Sequence, residues 1–426
     1  MAPLGPFEAA PHVAVGLSGG PDSMALALLL HDWAQRRGGS LLAITVDHGL
    51  RQASGAEAEQ VAAWMGFHGI LHVIRRWEGA KPVTGLQEAA RGARYDLLEQ
   101  ECRERGILHL ALGHQQEDQA ETVLIRRGMR SGPDGLAAMP SIRERPGLRL
   151  IRPVLGVLRA RLEATCDVRG QPFIRDPSNR DTRFARGRLR ATEPVDPVPA
   201  LAEAARQAGC RRADRDDLLA QMLARHGAFH PEGWIELDAA VFRVLDDEDS
   251  LGLLSRLTGA VGGRPYPPRG ERMERLLTRL REGAGEFSGG SLGGCLFSRA
   301  GAVLRIVREP ASVEAPIVVA PGGTAVWDRR FRLEWNGSRT VTLGALEAEG
   351  WAKISSDPIV RVGRVLPASV RRTLPAIRGG QTLLLVPHLN YVRLGSGCLG
   401  YRLGPEAPVP AAGARFSVVM PAREII

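Results

Sequence analysis

The chain has 426 residues, 44% of them hydrophobic and 24% charged, a composition typical of a folded protein with two or three domains. Disordered and fibrous classes are excluded. The longest apolar runs are far shorter than the roughly 20 residues that cross a bilayer, and no signal-like segment opens the sequence. We therefore expect a cytoplasmic protein without a membrane anchor.

The positive charge is concentrated in one segment. The formal net charge is +9, and residues 126–190 contain 16 Arg against 6 Asp and Glu. Lys81 and Lys353 are the only lysines, so nearly all positive charge is guanidinium, which suits bidentate contacts to phosphate and carboxylate. A GC-rich genome explains the use of Arg in place of Lys, but it does not explain the clustering. The clustered arginines indicate a polyanionic partner.

Cysteine usage argues against a disulfide framework and against a cysteine zinc site. The five cysteines are odd in number, lie far apart and include no C-x-x-C pair. They are Cys102, Cys166, Cys210, Cys295 and Cys398. We interpret them as reduced thiols without a catalytic role.

Short β-branched runs alternate with longer amphipathic runs over the first 115 residues, which predicts a parallel sheet with crossover helices. The predicted strands lie near Val13–Leu17, Leu41–Asp47, Ile70–Trp77 and Ile107–Gly113. The predicted helices span about Asp22–Arg37, Ala56–Gly66, Gly85–Arg105 and Gln116–Gly128. The fold class is therefore α/β, with a doubly wound sheet that should bind its ligand at the carboxyl ends of the strands.

The rest of the chain divides at a proline-rich linker, residues 193–199. This linker predicts a boundary after a first domain at 1–195. Helical periodicity then continues to about Arg281, which predicts a mainly helical domain at 200–311. Strand-like runs follow at Gly293–Arg308, Ile317–Val319 and Arg332–Trp335, so we expect a small α+β domain at 312–426.

The first predicted strand runs into a glycine turn and a helix start. The residues are Ser18, Gly19, Gly20, Pro21, Asp22 and Ser23. Free backbone N–H groups and the positive helix end can bind an anion there, and two glycines let phosphates approach the backbone. The serines offer hydroxyl groups, and proline suits a first helical turn. Neither the Walker A pattern nor G-x-G-x-x-G is present, and a plain helix N-cap is the alternative interpretation.

An S-G-G-x-D-S loop in this position resembles the PP-loop of the ATP pyrophosphatase family. Members of that family cleave ATP between the α and β phosphates and adenylate a substrate oxygen, so the resemblance implies ATP as a substrate. Asp22 stands beside the phosphate cradle, where a carboxylate is repulsive unless a cation lies between. We therefore expect Asp22 to bind Mg²⁺, with helix capping as its alternative role.

The second strand ends in Val46–Arg51, which should lie beside the phosphate loop. Strand-end loops of this kind are placed to contact a nucleotide or substrate. The candidate residues are Asp47, His48 and Arg51, and a simple turn is the alternative interpretation.

Polar side chains also cluster on the third and fourth predicted helices. On the third, Arg94 shares a face with Gln87, Arg91 and Tyr95, and spacing alone is equally compatible with a solvated face. On the fourth, Asp118 and Glu121 share a face near the helix N-terminus, where they either complement the helix dipole or bind a cation.

The motifs between residues 13 and 190 together resemble the tRNA(Ile)-lysidine synthetase family. They include Ala90–Tyr95, Gly113–Thr122 and the arginine-rich stretch Asp176–Arg190. The family usually reads G-H-H-x-D-D-Q-x-E-T in the second of these, so Gln115 replaces a histidine and Glu117 an aspartate. Gln115 puts a catalytic role for the second histidine in doubt. In the third stretch Gly187 replaces a usual asparagine.

The resemblance implies an ATP-dependent ligase that joins free lysine to the wobble cytidine of tRNA(Ile) with a CAU anticodon. The cytidine C2 oxygen would attack the ATP α-phosphate, and the lysine amine would then displace AMP. The implied catalytic residues are Asp22, His114 and Asp118, and the implied ATP contacts are Ser18, Gly19, Gly20, Pro21, Asp22, Ser23, Asp47 and His48. The implied lysine contacts are Arg94, Asp118, Glu121 and Arg186, and the implied tRNA contacts are Arg51, Arg183, Arg188 and Arg190.

The implied RNA partner must enter as an unpaired anticodon loop, because only unstacked bases can be splayed into a pocket. The later domains would supply the reach that distinguishes one tRNA from another, and a homodimer is compatible with this interpretation. Three alternatives stay open: a tRNA thiolase, a non-catalytic RNA-binding protein and a small-molecule amide synthetase. The missing C-x-x-C argues against the thiolase, and the intact loop argues against the non-catalytic RNA-binding protein. The local Arg excess argues against the small-molecule amide synthetase.

Overall fold

A computed structural model describes residues 1–51, 53–79, 81–82, 84–145, 147–175, 196–263, 268, 270–282, 289–393, 400–406 and 410–420. The chain forms two compact units, Met1–Asp214 with Ala414–Ile426, and Arg215–Gly413. Within the described ranges, every helix is too short or too polar to cross a membrane.

A six-stranded sheet with the order β3-β2-β1-β4-β6-β5 forms the centre of the first unit. Its strands are β1 (His12–Gly16), β2 (Ser40–Asp47), β3 (Leu71–Arg76), β4 (His109–Leu112), β5 (Ile142–Arg145) and β6 (Leu148–Ile151). The helices are α1 (Pro21–Gln35), α2 (Ser54–Phe67), α3 (Leu86–Glu104), α4 (Gln116–Gly128), α5 (Pro133–Leu136) and α6 (Arg159–Val168). All neighbouring strands pair in parallel except β5 with β6, so the predicted doubly wound α/β fold is confirmed.

The central strand β1 is apolar because both of its faces are covered. Val13 and Val15 pack in the same cluster as Met24 of α1, whereas Ala14 packs in a second cluster with Leu98 of α3. Continuous apolar strands of this kind are typical of parallel sheets with helices on both sides. The two clusters therefore fix the sheet between two helical layers.

The strand order changes direction at β1. The chain goes from β1 through β2 to β3 on one side, and then returns to place β4 on the other side. Ligands of doubly wound sheets bind where the carboxyl ends of two such strands diverge. In this protein that position lies between the ends of β1 and β4, the two strands that lead into residues 17–23 and 113–118.

The end of the chain belongs to the first unit. Ser141 donates its backbone N–H to Ser417 O at 2.9 Å, and Phe416 is buried in a cluster with Ala208. Ala208 lies on α7 (Val198–His226). The predicted domain limits at 195 and 312 stay a prediction.

The described part of the second unit contains three antiparallel sheets, with the orders β7-β8-β11-β10-β9, β12-β15-β16-β17-β18 and β13-β14-β19. The strands are β7 (Gly227–His230), β8 (Trp234–Asp238), β9 (Gly290–Leu292), β10 (Cys295–Ala300), β11 (Val303–Arg308), β12 (Ile317–Val319), β13 (Thr324–Trp327), β14 (Phe331–Trp335), β15 (Val341–Ala345), β16 (Pro375–Gly379), β17 (Thr382–Val386), β18 (Tyr391–Val392) and β19 (Tyr401–Pro405). The helices are α8 (Val241–Val244), α9 (Asp247–Gly262), α10 (Glu271–Glu282), α11 (Glu347–Ile354), α12 (Arg361–Val365) and α13 (Ala368–Arg372). Short 3-10 turns occur at Ala2–Leu4, Pro310–Ser312, Pro358–Val360 and Pro387–Leu389.

A buried carboxylate joins several segments of the second unit. Asp328 is fully buried, and its oxygens accept hydrogen bonds from Arg308 at 2.7 and 3.0 Å and from Arg330 at 2.7 Å. Arg330 also donates to Thr373 O at 3.3 Å. Although burial by itself raises the pKa of Asp328, the two guanidinium groups lower it overall, so this carboxylate stays ionised.

Candidate functional site

The residues between β1 and α1 form a loop with the geometry of a phosphate loop, and hydrogen bonds within the loop stabilise it. The Ser18 backbone N–H donates to Ser23 Oγ at 3.1 Å, and the Ser23 hydroxyl donates to Gly20 O at 3.0 Å. The Ser18 and Ser23 hydroxyl oxygens lie 3.1 Å apart. Pro21 occupies the first turn of α1 as predicted, and Gly20 is the N-cap of this helix. The two hydroxyls thus hold the turn in shape, in addition to their predicted role as phosphate contacts.

Two glycines permit the close approach of segments around this loop. Gly19 has a φ of +78°, and a Cβ there would lie 2.8 Å from Ile174 and 2.9 Å from Val61. Gly113 follows β4, and a Cβ there would lie 3.1 Å from the backbone of Ser23. The carboxyl end of β4 therefore packs directly against the start of α1.

Asp22 lies in the first turn of α1 and pairs with an arginine distant in sequence. Its Oδ2 accepts hydrogen bonds from Arg159 Nε at 3.3 Å and from Arg159 Nη2 at 3.2 Å. Burial raises the pKa of Asp22 to about 6, with added repulsion from Asp118 and Glu117, although Arg159 opposes the rise. Asp22 Oδ1 is buried and has no hydrogen-bond partner among the described residues. A buried acceptor without a partner is the arrangement that a cation would complete.

The fourth helix begins with a complete capping box. Gln115 is its N-cap, with Oε1 accepting the Glu117 N–H at 2.5 Å, and Asp118 Oδ2 accepts the Gln115 N–H at 3.1 Å. Asp118 and Glu121 are both buried, each with about 7% of its surface exposed. Asp118 therefore performs the capping role that helix position alone predicts, and a role in lysine binding stays a prediction.

Glu117 has a defined structural role. Its two carboxylate oxygens accept the Arg159 backbone N–H at 3.1 and 3.2 Å, at the first residue of α6. Glu117 is the residue that replaces a usual aspartate in the family pattern. The longer side chain lets α4 hold the helix start from which Arg159 reaches Asp22.

Arg94 is a half-buried guanidinium on α3. No hydrogen bond or ion pair of Arg94 occurs within the described ranges, and burial lowers the pKa of the group. Its Nη2 lies 3.8 Å from the position that a Cβ on Gly16, the last residue of β1, would occupy. The charge of Arg94 also lowers the pKa of His48 after burial, the larger cause. The predicted residues Arg94 and His48 are thus brought together near the end of β1.

Two other predicted contacts are already engaged elsewhere. Asp47 Oδ1 accepts the Gly49 N–H at 2.9 Å and the Ser54 hydroxyl at 2.7 Å, so it fixes the turn before α2. Arg51 forms an ion pair with Glu57 at 2.6 Å. The structure therefore gives Asp47 and Arg51 local structural roles, and their predicted contacts with ATP and tRNA stay predictions.

The remaining predicted residues include four that cannot be located. Arg183, Arg186, Arg188 and Arg190 lie in 176–195, outside the described residues. His114 follows Gly113 at the end of β4, next to the loop. No group of three or more His, Cys, Asp or Glu side chains with metal-site geometry occurs in the part of the chain that the structure describes.

Sequence reasoning missed Arg159 and Ile174. Arg159 belongs to the arginine-rich segment, but nothing in its spacing connects it with Asp22, 137 residues earlier. Ile174 donates its backbone N–H to Gly19 O at 2.8 Å, a contact that side-chain patterns cannot reveal.

The comparisons with known proteins agree with this geometry. Residues 3–193 match the PP-loop domain family, so fold and site define a PP-loop protein. The tRNA(Ile)-lysidine synthase of Methylobacterium nodulans is 42% identical over 329 residues, which cover 72% of this chain and 93% of that protein. The Ruegeria pomeroyi enzyme of the same name is 36% identical over 390 residues, covering 89% and 90%. Among solved structures, the U34-tRNA thiolase NcsA of Methanococcus maripaludis has a TM-score of 0.41 and 19% identity, covering 49% of this chain and 75% of that one. The chain belongs to the tRNA(Ile)-lysidine synthase family.

Proposed function

We propose that this protein is a ligase that uses ATP to join lysine to the wobble cytidine of tRNA(Ile) with a CAU anticodon. The proposal is based on the set of groups that surround the carboxyl ends of β1 and β4. A phosphate loop, the carboxylates of α4 and the half-buried guanidinium of Arg94 occur there together. Relatives that match most of the chain carry the name of this activity.

The first step is adenylation of the RNA. The cytidine C2 oxygen attacks the ATP α-phosphorus, a new P–O bond forms, and the bond to the β-phosphate oxygen breaks to release pyrophosphate. The backbone N–H groups at the start of α1 stabilise the negative charge that develops on the leaving group. The internal brace between Ser18 and Ser23 keeps these donors in place, so little reorganisation is needed.

The second step transfers the activated carbon to lysine. The lysine amine attacks C2, the bond between C2 and the AMP oxygen breaks, and the amine loses a proton. Arg94 binds the lysine carboxylate, because it is a half-buried cation that has no acidic partner among the residues that the structure describes. Asp118 and Glu121 lie buried on α4 and orient the amine. In this proposal His114, which follows β4, accepts the proton.

Mg²⁺ fits the phosphate loop at Asp22. The partnerless Oδ1 of Asp22 is a hard oxygen ligand, and Mg²⁺ binds such carboxylates together with phosphate oxygens. When bound, the ion neutralises charge on the pyrophosphate. Arg159 holds the other oxygen of Asp22 and so directs Oδ1.

The raised thiol pKa of two buried cysteines argues against the thiolase alternative. Cys166 lies near the phosphate loop, with Sγ donating to Pro21 O at 3.6 Å, and burial raises its pKa to about 11. Burial likewise raises the pKa of Cys102 to about 12. A nucleophilic thiol needs a lowered pKa, so neither group is suited to sulfur transfer.

Incorporation of lysine into RNA tests the proposal directly. The purified protein is incubated with ATP, Mg²⁺, radiolabelled lysine and a CAU-anticodon tRNA(Ile) transcript. We expect label that survives alkaline deacylation and maps to the anticodon cytidine. RNA binding without any label would contradict the ligase and favour a non-catalytic RNA-binding protein.

A further inference from the structure

The Lys81 side chain is held against a tryptophan ring. Its ammonium lies 4.2 Å from the centre of the Trp77 ring and donates a hydrogen bond to the Trp77 carbonyl oxygen. Lys81 and Lys353 are the only two lysines among 56 basic residues. Lys81 follows β3 at the carboxyl edge of the sheet, where the ligands of this fold bind.

The Trp77 ring is itself fixed in place. Its backbone N–H donates to Asp47 O at 2.9 Å, and the His48 ring stands edge-on to it at 6.1 Å. A cation held over an indole face and by a carbonyl has few positions available to it. The Lys81 ammonium uses one of its three donors in this way, so the others can reach a ligand.

The charges around Lys81 favour an anion. Among the described residues Lys81 has no ion pair, and the exposed Glu78 of the same loop has none either. Asp47, at the end of β2, is held by Gly49 and Ser54. Lys81 and His48 lie close together because both contact the Trp77 ring, and the charges of Arg94 and Lys81 lower the pKa of His48 after the larger effect of burial. His48 Nδ1 is buried and has no hydrogen-bond partner within the part of the chain that the structure describes.

This region lies beside the phosphate loop and not within it. β3 is separated from β1 by β2, so its end lies about 10 Å from the end of β1. A phosphate bound near Lys81 is therefore a different group from the one at the N-terminus of α1. An RNA strand whose base enters the site carries phosphodiesters on both sides of that base, at about this distance.

We infer that Lys81, held on Trp77 beside His48, binds a backbone phosphate of the substrate RNA next to the base that enters the site. This inference rests on the proposed function for the identity of the RNA. The shared chemistry is phosphate recognition, and the triphosphate of ATP is the other source that an experiment must distinguish. A compact ammonium suits a single phosphate oxygen better than the bidentate guanidinium does.

The test compares Lys81→Met with Lys81→Arg and Lys353→Met. Methionine keeps an unbranched chain on the Trp77 ring but removes the charge, whereas arginine keeps the charge. Lys353 is an exposed lysine of the second unit, paired with Glu349 at 2.7 Å, so its replacement is the matched control. Binding of tRNA transcript is measured without ATP or lysine over a series of salt concentrations, and the KM for ATP is measured separately.

We expect Lys81→Met to weaken tRNA binding about 3- to 10-fold and to reduce the salt slope by about 0.7 to 0.9, the value for one phosphate contact. Lys81→Arg should retain most of the affinity, and Lys353→Met should match the unmodified protein. Unchanged tRNA binding in Lys81→Met would overturn the inference, as would a rise confined to the KM for ATP. Since RNA binding is measured without turnover, this result is independent of whether lysine is incorporated.

Discussion

Asp22 and Arg159 are 137 residues apart and join at 3.2 Å beside the phosphate loop. The pair connects the start of α1 with the start of α6, and Glu117 of α4 holds the same arginine by its backbone. One carboxylate oxygen of Asp22 is thus fixed, and the other is buried with no partner in the described ranges. This relationship is the basis of the first prediction.

Asp22→Asn should reduce AMP formation by at least about 100-fold, because the neutral amide binds Mg²⁺ poorly and the charge on pyrophosphate is left uncompensated. Binding of tRNA in the absence of ATP should change little. The matched control is Asp32→Asn on the same helix, which removes a surface ion pair with Arg169 at 2.7 Å and should leave AMP formation nearly unchanged. Equal activity of the two variants would exclude Asp22 from the chemistry.

Arg94→Gln should raise the KM for lysine about tenfold or more, since a charge-assisted pair with the lysine carboxylate is lost. The KM for ATP should stay within about twofold. Arg91→Gln on the same helix is the control, because Arg91 is exposed and contacts Tyr95 at 3.3 Å. Unaltered lysine kinetics in Arg94→Gln would remove this residue from the lysine site.

Much of the first unit was predictable because local pattern and final packing agree there. The predicted helix Gln116–Gly128 has the observed bounds, and the four predicted strands correspond to β1–β4. The hairpin of β5 and β6 was missed, because each strand has only four residues and β5 is mostly charged. Strands β7 and β8 were likewise missed within a region predicted as mainly helical.

The candidate site was predictable only where its residues are close in sequence. The phosphate loop and the carboxylates of α4 are contiguous motifs, and helical or strand-end spacing places them. The ion pair of Asp22 with Arg159 depends on tertiary packing, which the local hydrophobic periodicity of the sequence does not reveal. The internal hydrogen bonds of Asp47 are equally invisible in sequence, since an aspartate after a strand suits both a turn and a ligand contact.

Gln115→Ala should lower the free energy of unfolding by about 1 kcal/mol, because the N-cap acceptor for the Glu117 N–H is lost. Urea unfolding followed by circular dichroism measures this change. Gln116→Ala, one residue later and inside the helix, is the control and should stay within about 0.5 kcal/mol. A Gln115→Ala variant as stable as the control would show that this cap contributes nothing.

Asp328→Asn should destabilise the second unit by about 3 kcal/mol, because two buried guanidinium groups lose their counter-ion. Glu314→Gln removes an exposed ion pair with Arg329 and should cost less than about 1 kcal/mol. The pKa of Asp328 is lowered in the folded protein, so its contribution is present above the ordinary aspartate pKa and is lost as pH falls through the folded value. Equal urea midpoints for the two variants at neutral pH would contradict this account.

The central claim is that the site between the carboxyl ends of β1 and β4 adenylates RNA before lysine reacts. The most direct measurement uses ATP labelled at the α-phosphate with CAU-anticodon tRNA(Ile) and Mg²⁺, first without lysine and then with lysine added. We predict that label enters the RNA at the anticodon cytidine and that lysine releases it as AMP while joining the same cytidine. Labelled AMP formed without RNA, or RNA that never acquires label under either condition, would contradict the claim.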